Sequence, residues 1–362
     1  MKSHDIAIIG TYPPPVGGVS VHIKRLTQAL NNNSINYTAY NLSKNRVEFN
    51  GNLYNVPNVK LWLIKYLFCC KDKIIHCHER NWYLIAILCI IKKIHKSKLL
   101  LTLHSFREDP EEFNWCKKLC FFYSMKNIDH FIPVGENERN KLINYISNSG
   151  NKISVISSYL RPKYKESDDK LIPQYVWDFI NKAKFLISAN GCIRFYRNQD
   201  LYGIDMLIEL CKNLKSEGYN VSFLIAILCK EQQNDNERSY YYDLKKKIKE
   251  YKLGQDIMLY EVKDTEFYPI LRRSKLFLRP TNTDAYGVSI AEALCYQVPS
   301  IASNVCKRPE GTIVFKSRNI DDLHKNVIRV IDNYSSYKEQ INNINIEDNG
   351  QKLLSLYKDL II

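Results

Sequence analysis

Residues 279–303 read RPTNTDAYGVSIAEALCYQVPSIAS. Asp284 and Glu292 stand either side of seven residues that include Tyr286, Gly287 and Ser289. KLFLRP before them predicts a buried strand, IAEAL a helix, and PSIAS a second strand. A loop thus ends one strand, and a glycine opens the next helix. Glycine there lets the backbone approach a ligand closely. The amides of Gly287, Val288 and Ser289 would then point at an anion, helped by the helix dipole. Glu292 lies about one and a half turns inside the helix, with Asp284 in the loop opposite. The arrangement suits a diphosphate carrying a hydroxyl-rich group at each end. The amides would take the phosphates, Glu292 ribose hydroxyls and Asp284 sugar hydroxyls. A capping acid followed by an ordinary surface glutamate has the same spacing, so the pattern alone is weak.

Outward from this stretch, strands and helices alternate. KFLISANG, NVSFLIAIL, IMLYEV, KLFLRP and PSIAS read as buried parallel strands, with helical patterns between them. The first half does the same with DIAIIG, KIIHCH, KLLLTLH and HFIPVG. There GGVSVHIKRLTQAL follows a glycine-rich turn, and ENERNKLINYI opens with acids at its dipole-favoured end. The polar, proline-bearing LRPKYKESDDKLIPQ (160–174) is the linker. Two runs of βα units predict an α/β chain of two doubly wound, Rossmann-like domains facing across a cleft, with ligands at the carboxyl ends of the strands. The boundaries read as 1–165, 166–340, and a closing helix over 341–362.

The chain has 362 residues, enough for two to three domains. Its start lacks the basic segment and long apolar run of a signal peptide. Its most apolar windows, LWLIKYLFCC and WYLIAILCII, fall short of the ~18 residues a membrane span needs. Eleven cysteines, none in C-x-x-C spacing, read as reduced and mostly buried. HCH at 76–78 is not expected to bind metal, because alternation divides the strand's residues between two faces and no second ligand pair follows at zinc spacing. Residues 1–165 hold 24 Lys+Arg against 11 Asp+Glu, which is +13 of the total +14. That asymmetry suits an anionic partner. No nucleic-acid module is present, so an anionic membrane surface fits better than nucleic acid, although ordinary solvated surface accounts for part of the charge too. VKLWLIKYLFCCKDK and FNWCKKLCFFYSMK mix aromatics and lysines at helical spacing and could lie on one, although a buried helix face with snorkelling lysines fits them too.

Taken together, these features resemble glycosyltransferase family 4, retaining transferases of GT-B fold. The family's Glu-x7-Glu, with a glycine and a small residue between and a G-x-P-V-I-A-S strand after, matches DAYGVSIAEALCYQVPSIAS. Asp284 replaces the first glutamate, and Gln297 replaces a glycine. YPPPVGGVSVHIKRLTQAL is similar to the family's first glycine-rich loop, and LLLTLHS to the strand that ends in its active-site histidine. The resemblance implies that Gly17 and Gly18 lie beside the donor diphosphate and that His104 and Asp284 are catalytic. It implies that Gly287, Val288, Ser289 and Glu292 bind the donor, and that the final helix, GQKLLSLYKDLII, crosses back to the first domain. His78 could serve the acceptor. The family's G-R-x5-K-G cations are only partly present: in NGCIRFYRNQDLYGIDMLI, Tyr202 stands in the lysine position, leaving Arg194 and Arg197 for the role, with Lys307 and Arg308 in reserve. The implied function is transfer of a sugar, with retention, from a nucleotide diphosphate sugar to a lipid-linked glycan acceptor in bacterial surface-polysaccharide assembly. It would take place at the cytoplasmic face of the membrane, with no cofactor or metal. The alternatives are a nucleotide-sugar epimerase of the same fold and a catalytically idle sugar-nucleotide-binding subunit.

Overall fold

A computed structural model describes residues 5–48, 51–106, 109–146, 152–263 and 265–361. The chain forms two compact units. One runs from the N-terminus to Leu160 and takes in the chain from Asp348 onward; the other is Arg161–Glu347.

The first unit contains β1 (Ile6–Gly10), α1 (Gly18–Asn32), β2 (Tyr37–Asn41), β3 (Leu53–Asn55), α2 (Val59–Cys69) and β4 (Ile74–Cys77). It continues with α3 (Trp82–His95), β5 (Lys98–Leu103), α4 (Trp115–Asn127), β6 (His130–Pro133) and α5 (Glu136–Leu142). The strands pair in the order β3-β2-β1-β4-β5-β6, all parallel. The continuous apolar run of β5 follows from this, since Leu99, Leu100 and Leu101 are fully buried although successive side chains face opposite sides of the sheet. Each such leucine contributes about 1.5–3 kcal/mol of transfer free energy.

The second unit opens with α6 (Glu166–Lys170), α7 (Gln174–Lys182), β7 (Leu186–Cys192), β8 (Phe195–Tyr196), β9 (Gln199–Asp200), α8 (Ile204–Ser216) and β10 (Ser222–Leu228). Then come α9 (Asp235–Glu250), β11 (Ile257–Glu261), α10 (Tyr268–Leu271), β12 (Leu276–Arg279), α11 (Val288–Cys295), β13 (Ser300–Ser303), β14 (Ile313–Phe315), α12 (Ile320–Asp332) and α13 (Tyr334–Asn342). Its parallel sheet has the order β11-β10-β7-β12-β13-β14.

The last helix, α14 (Asn349–Ile361), packs into the first unit. Leu353, Leu354 and Tyr357 join the core formed by Ile6, Ile8, Ile74 and Leu100. The Tyr357 hydroxyl meets His76 Nδ1 at 2.5 Å, and His76 Nε2 meets Thr102 Oγ1 at 2.7 Å. Both ring nitrogens of His76 are therefore used structurally. Burial holds its pKa down to about 3, so the ring is neutral.

Candidate functional site

In each sheet the chain reverses its direction of travel at one point, and the carboxyl ends of the two strands flanking that point leave room for a ligand. In the second unit these strands are β7 and β12. Asn190 lies near the end of β7, and Arg279 is the last residue of β12. Arg279 Nη1 donates to Asn190 Oδ1 at 3.3 Å, and Asn190 Nδ2 donates to Ser289 Oγ at 3.1 Å in the first turn of α11. Arg279 Nε donates to Asp284 Oδ2 at 2.7 Å. Arg308 Nη1 reaches the same oxygen at 2.8 Å, and its Nη2 bonds Thr281 Oγ1 and Ser303 Oγ, both at 3.1 Å. The Arg308 side chain is 2% exposed.

Two guanidiniums thus share one carboxylate. Burial pushes the Asp284 pKa up, but Arg279 and then Arg308 outweigh it and hold the carboxyl well below its ordinary range. The group is ionised at every physiological pH.

The start of α11 belongs to the same cluster. Gly287 has φ +93°, and a Cβ there would come within 2.6 Å of Ile290 Cδ1 and 3.0 Å of Arg308 Nη1. Only glycine fits, and the Arg308 guanidinium lies against the turn. The N-cap of α11 is Gly287, which has no side chain to cap the helix. The start of α8 differs. Asp200 accepts from the amides of Tyr202, Gly203, Ile204 and Asp205 at 2.9–3.3 Å and from the Tyr240 hydroxyl at 3.2 Å. One helix start is closed by its own carboxylate; the other has the Arg308 guanidinium against its first turn, and a helix start favours an anion. Glu292 is buried on α11.

Three of the expected site residues have partners within the second unit. The Asp284 Oδ2 accepts from both Arg279 and Arg308. Arg194 bonds Glu237 of α9 and the Gln232 carbonyl. Arg197, at φ +50°, forms with Asn198 the two-residue reversal between β8 and β9, and its guanidinium is 5.4 Å from the Tyr196 ring centroid. Arg279, which the sequence reading passed over, and Arg308, which it held in reserve, stand beside α11. The signal for Arg279 was a charged residue closing an apolar strand. Lys307 is exposed, and Tyr202 packs on Gly191, where a Cβ would meet its Cγ at 2.5 Å.

In the first unit the reversal falls between β1 and β4. Gly10 ends β1, and a Cβ there would lie 3.1 Å from His78 Cβ. His78 follows β4, His104 follows β5, and His22 is buried on α1. His78 Nδ1 and His104 Nε2 are 3.1 Å apart. His22 Nδ1 lies 2.8 Å from the Ser158 carbonyl and so carries the proton it donates. His22 Nε2 and His78 Nε2 are buried without a partner. Burial lowers the pKa of His22 to about 4 and holds those of His78 and His104 well below the ordinary value, so all three rings are neutral near pH 7. His76 and His78, two residues apart, share a face with ring centroids 4.1 Å apart. Alternation therefore does not divide these two histidines, contrary to the sequence expectation.

Gly17 caps α1 with φ −164°, a conformation open to any residue, and a Cβ on Gly18 would meet nothing within 4 Å. Neither backbone nor packing demands glycine at these two positions.

Residues 194–346, within the second unit, match the family model "Glycosyl transferases group 1". No curated protein sequence matches the chain. Among solved structures, a glycosyltransferase from Rickettsia africae is similar at TM-score 0.69 and 15% identity, covering 99% of both chains. Sucrose-phosphate synthase from Thermosynechococcus elongatus is similar at TM-score 0.68 and 16% identity, again over 99% of both chains. Anabaena Alr3699/HepE in complex with UDP-glucose is similar at TM-score 0.66 and 14% identity, over 99% of this chain and 96% of that one. These likenesses establish the fold: the chain is of the GT-B type, two Rossmann-like domains with six parallel strands each, and its second domain is similar to glycosyl transferases group 1.

Proposed function

We propose that the chain is a retaining glycosyltransferase of family 4 type, with a nucleotide diphosphate sugar as donor and a lipid-linked glycan as acceptor. The observation that carries this reading is the glycine-opened start of α11, with Arg308 buried and Arg279 half-buried beside it at the sheet's reversal point. Amides and guanidiniums together stabilise a departing diphosphate without a metal. In a front-face displacement the leaving phosphate oxygen helps deprotonate the incoming hydroxyl, and retention follows. The neutral ring of His104 would hydrogen-bond the donor sugar, and the open space at Gly17 and Gly18 would admit the diphosphate. The bound UDP-glucose of the Anabaena neighbour supports a donor of this class. The test is release of nucleoside diphosphate from candidate donors with and without acceptor. Tight donor binding without turnover would favour the idle subunit instead, a reading prompted by Tyr202 in the lysine position.

The acceptor reading draws on the surface of the first domain. Leu61, Ile64 and Phe68 form an exposed stripe on α2. Tyr83, Ile87, Ile90 and Ile94 do so on α3, and Trp115, Leu119 and Phe122 on α4. Each stripe repeats at three- to four-residue steps, so each is a single helix face. Exposed Lys60, Lys65, Lys93, Lys96 and Lys126 accompany them. An apolar surface of this extent marks an interaction site, and the lysines suit anionic headgroups. Among the described residues no helix is long and apolar enough to cross a membrane. The proposed location is the inner face of a bacterial cell membrane, in polysaccharide assembly. Flotation with anionic vesicles at low and high salt checks it, since attraction by exposed charge weakens with salt.

A further inference from the structure

We propose that His22, His78 and His104 form a three-nitrogen site for zinc, with a fourth coordination position left open. One ring nitrogen from each residue can be chosen so that all lie within 4.8 Å of one another. A tetrahedral ion with Zn–N bonds of about 2.0–2.1 Å puts its ligand nitrogens about 3.3 Å apart and its imidazole centroids about 5.2 Å apart. Here the His78 and His104 nitrogens are 3.1 Å apart. The three centroid separations are 5.3, 5.0 and 5.4 Å. The rings are therefore already spread to the size of a bound ion, and small movements of His22 would complete the set.

The tautomers agree with this arrangement. His22 donates from Nδ1 to the Ser158 carbonyl, which leaves the Nε2 lone pair buried and unshared. A ligating histidine typically has its other nitrogen fixed by such a carbonyl. Neutral imidazoles each supply one lone pair, so the ion displaces the His78–His104 hydrogen bond without net proton release. Nitrogen donors of this kind select zinc over magnesium or calcium. His22 and His78 are buried and His104 is half-exposed, so the open position lies on the His104 side. Nearby, Glu79 is held by the Thr11 hydroxyl at 3.2 Å and Arg80 by Ser105 Oγ at 3.1 Å, so one carboxylate and one guanidinium accompany the rings. The site depends on the first domain alone and stands whether or not the transferase reading does.

The test is equilibrium binding of zinc, and of cobalt(II) as a spectroscopic substitute, to the full chain after chelator treatment. One equivalent should bind to the wild type, with the visible absorption of four-coordinate cobalt and without the near-ultraviolet thiolate band that any of the eleven cysteines would produce. His22→Gln should lose at least tenfold in affinity. His104→Gln, at a half-exposed position, serves if the first variant does not fold. Zinc should raise the Tm of the wild type and leave that of either variant unmoved. Absence of binding, a thiolate spectrum, or affinity unchanged in both variants would each overturn the proposal.

Discussion

The two domains carry their polar clusters at equivalent points of similar sheets, yet the clusters are opposites. In the second domain two arginines surround an ionised aspartate, and nearly every polar atom of the three has a partner. In the first domain three histidines are neutral, and two of their nitrogens have none. Charge is retained where ionised partners compensate for lost hydration, and given up where burial is met only by other neutral rings. The charged cluster is suited to hold an anion in place. The neutral one can hydrogen-bond a hydroxyl or donate lone pairs.

The largest effect should come from breaking the charged cluster. Arg308→Ala leaves Asp284 with one guanidinium and frees the hydroxyls of Thr281 and Ser303. Removing one partner of a buried ion pair costs about 3–5 kcal/mol, to be read by denaturant unfolding, and donor binding should fall with it. The neutral cluster should respond to pH instead. His22 has its folded pKa lowered to about 4 from an ordinary 6.5. The unfolded chain then binds the proton first on acidification. The stabilisation is complete above pH 6.5 and is lost as pH falls from 6.5 towards 4, by a few kcal/mol at most. Asp284, whose pKa is also lowered, keeps its contribution until pH falls below about 4. Acid should therefore loosen the first domain before the second, and His22→Gln should flatten the stability profile between pH 6.5 and 4.

The glycines sharpen the contrast further. Gly287→Ala meets both a positive φ and Ile290, and should cost about 1–3 kcal/mol as well as donor affinity. Gly18→Ala meets nothing. Its stability should stay within about 0.5 kcal/mol of the wild type, while donor affinity falls if the diphosphate rests there. Stability and affinity moving together at Gly18 would show that the glycine serves the fold. The smallest effect on stability belongs to the surface. Phe68→Ser with Trp115→Ser should leave unfolding almost unchanged and abolish flotation with anionic vesicles.

Alternating apolar runs made the two sheets legible, because strands buried on both faces read as continuous hydrophobic segments. Gly287 was legible because its turn lies at a helix start within a recognisable pattern. The arginine partners were not. Arg194 and Arg197 were chosen by sequence proximity to an expected motif, whereas the observed cations come from β12 and from the segment after β13, 29 positions apart. The histidine cluster was hidden for the same reason. Its members lie on one helix and after two strands, and nothing in local spacing brings residues 22, 78 and 104 together.

Amide hydrogen exchange addresses the central claim most directly. The first amides of a helix lack intrahelical partners, so those of Gly287, Val288 and Ser289 should exchange readily in the free protein. Saturating nucleoside diphosphate should slow exchange at these three positions more than elsewhere in the second domain. Tight nucleotide binding with their exchange unchanged would contradict the account.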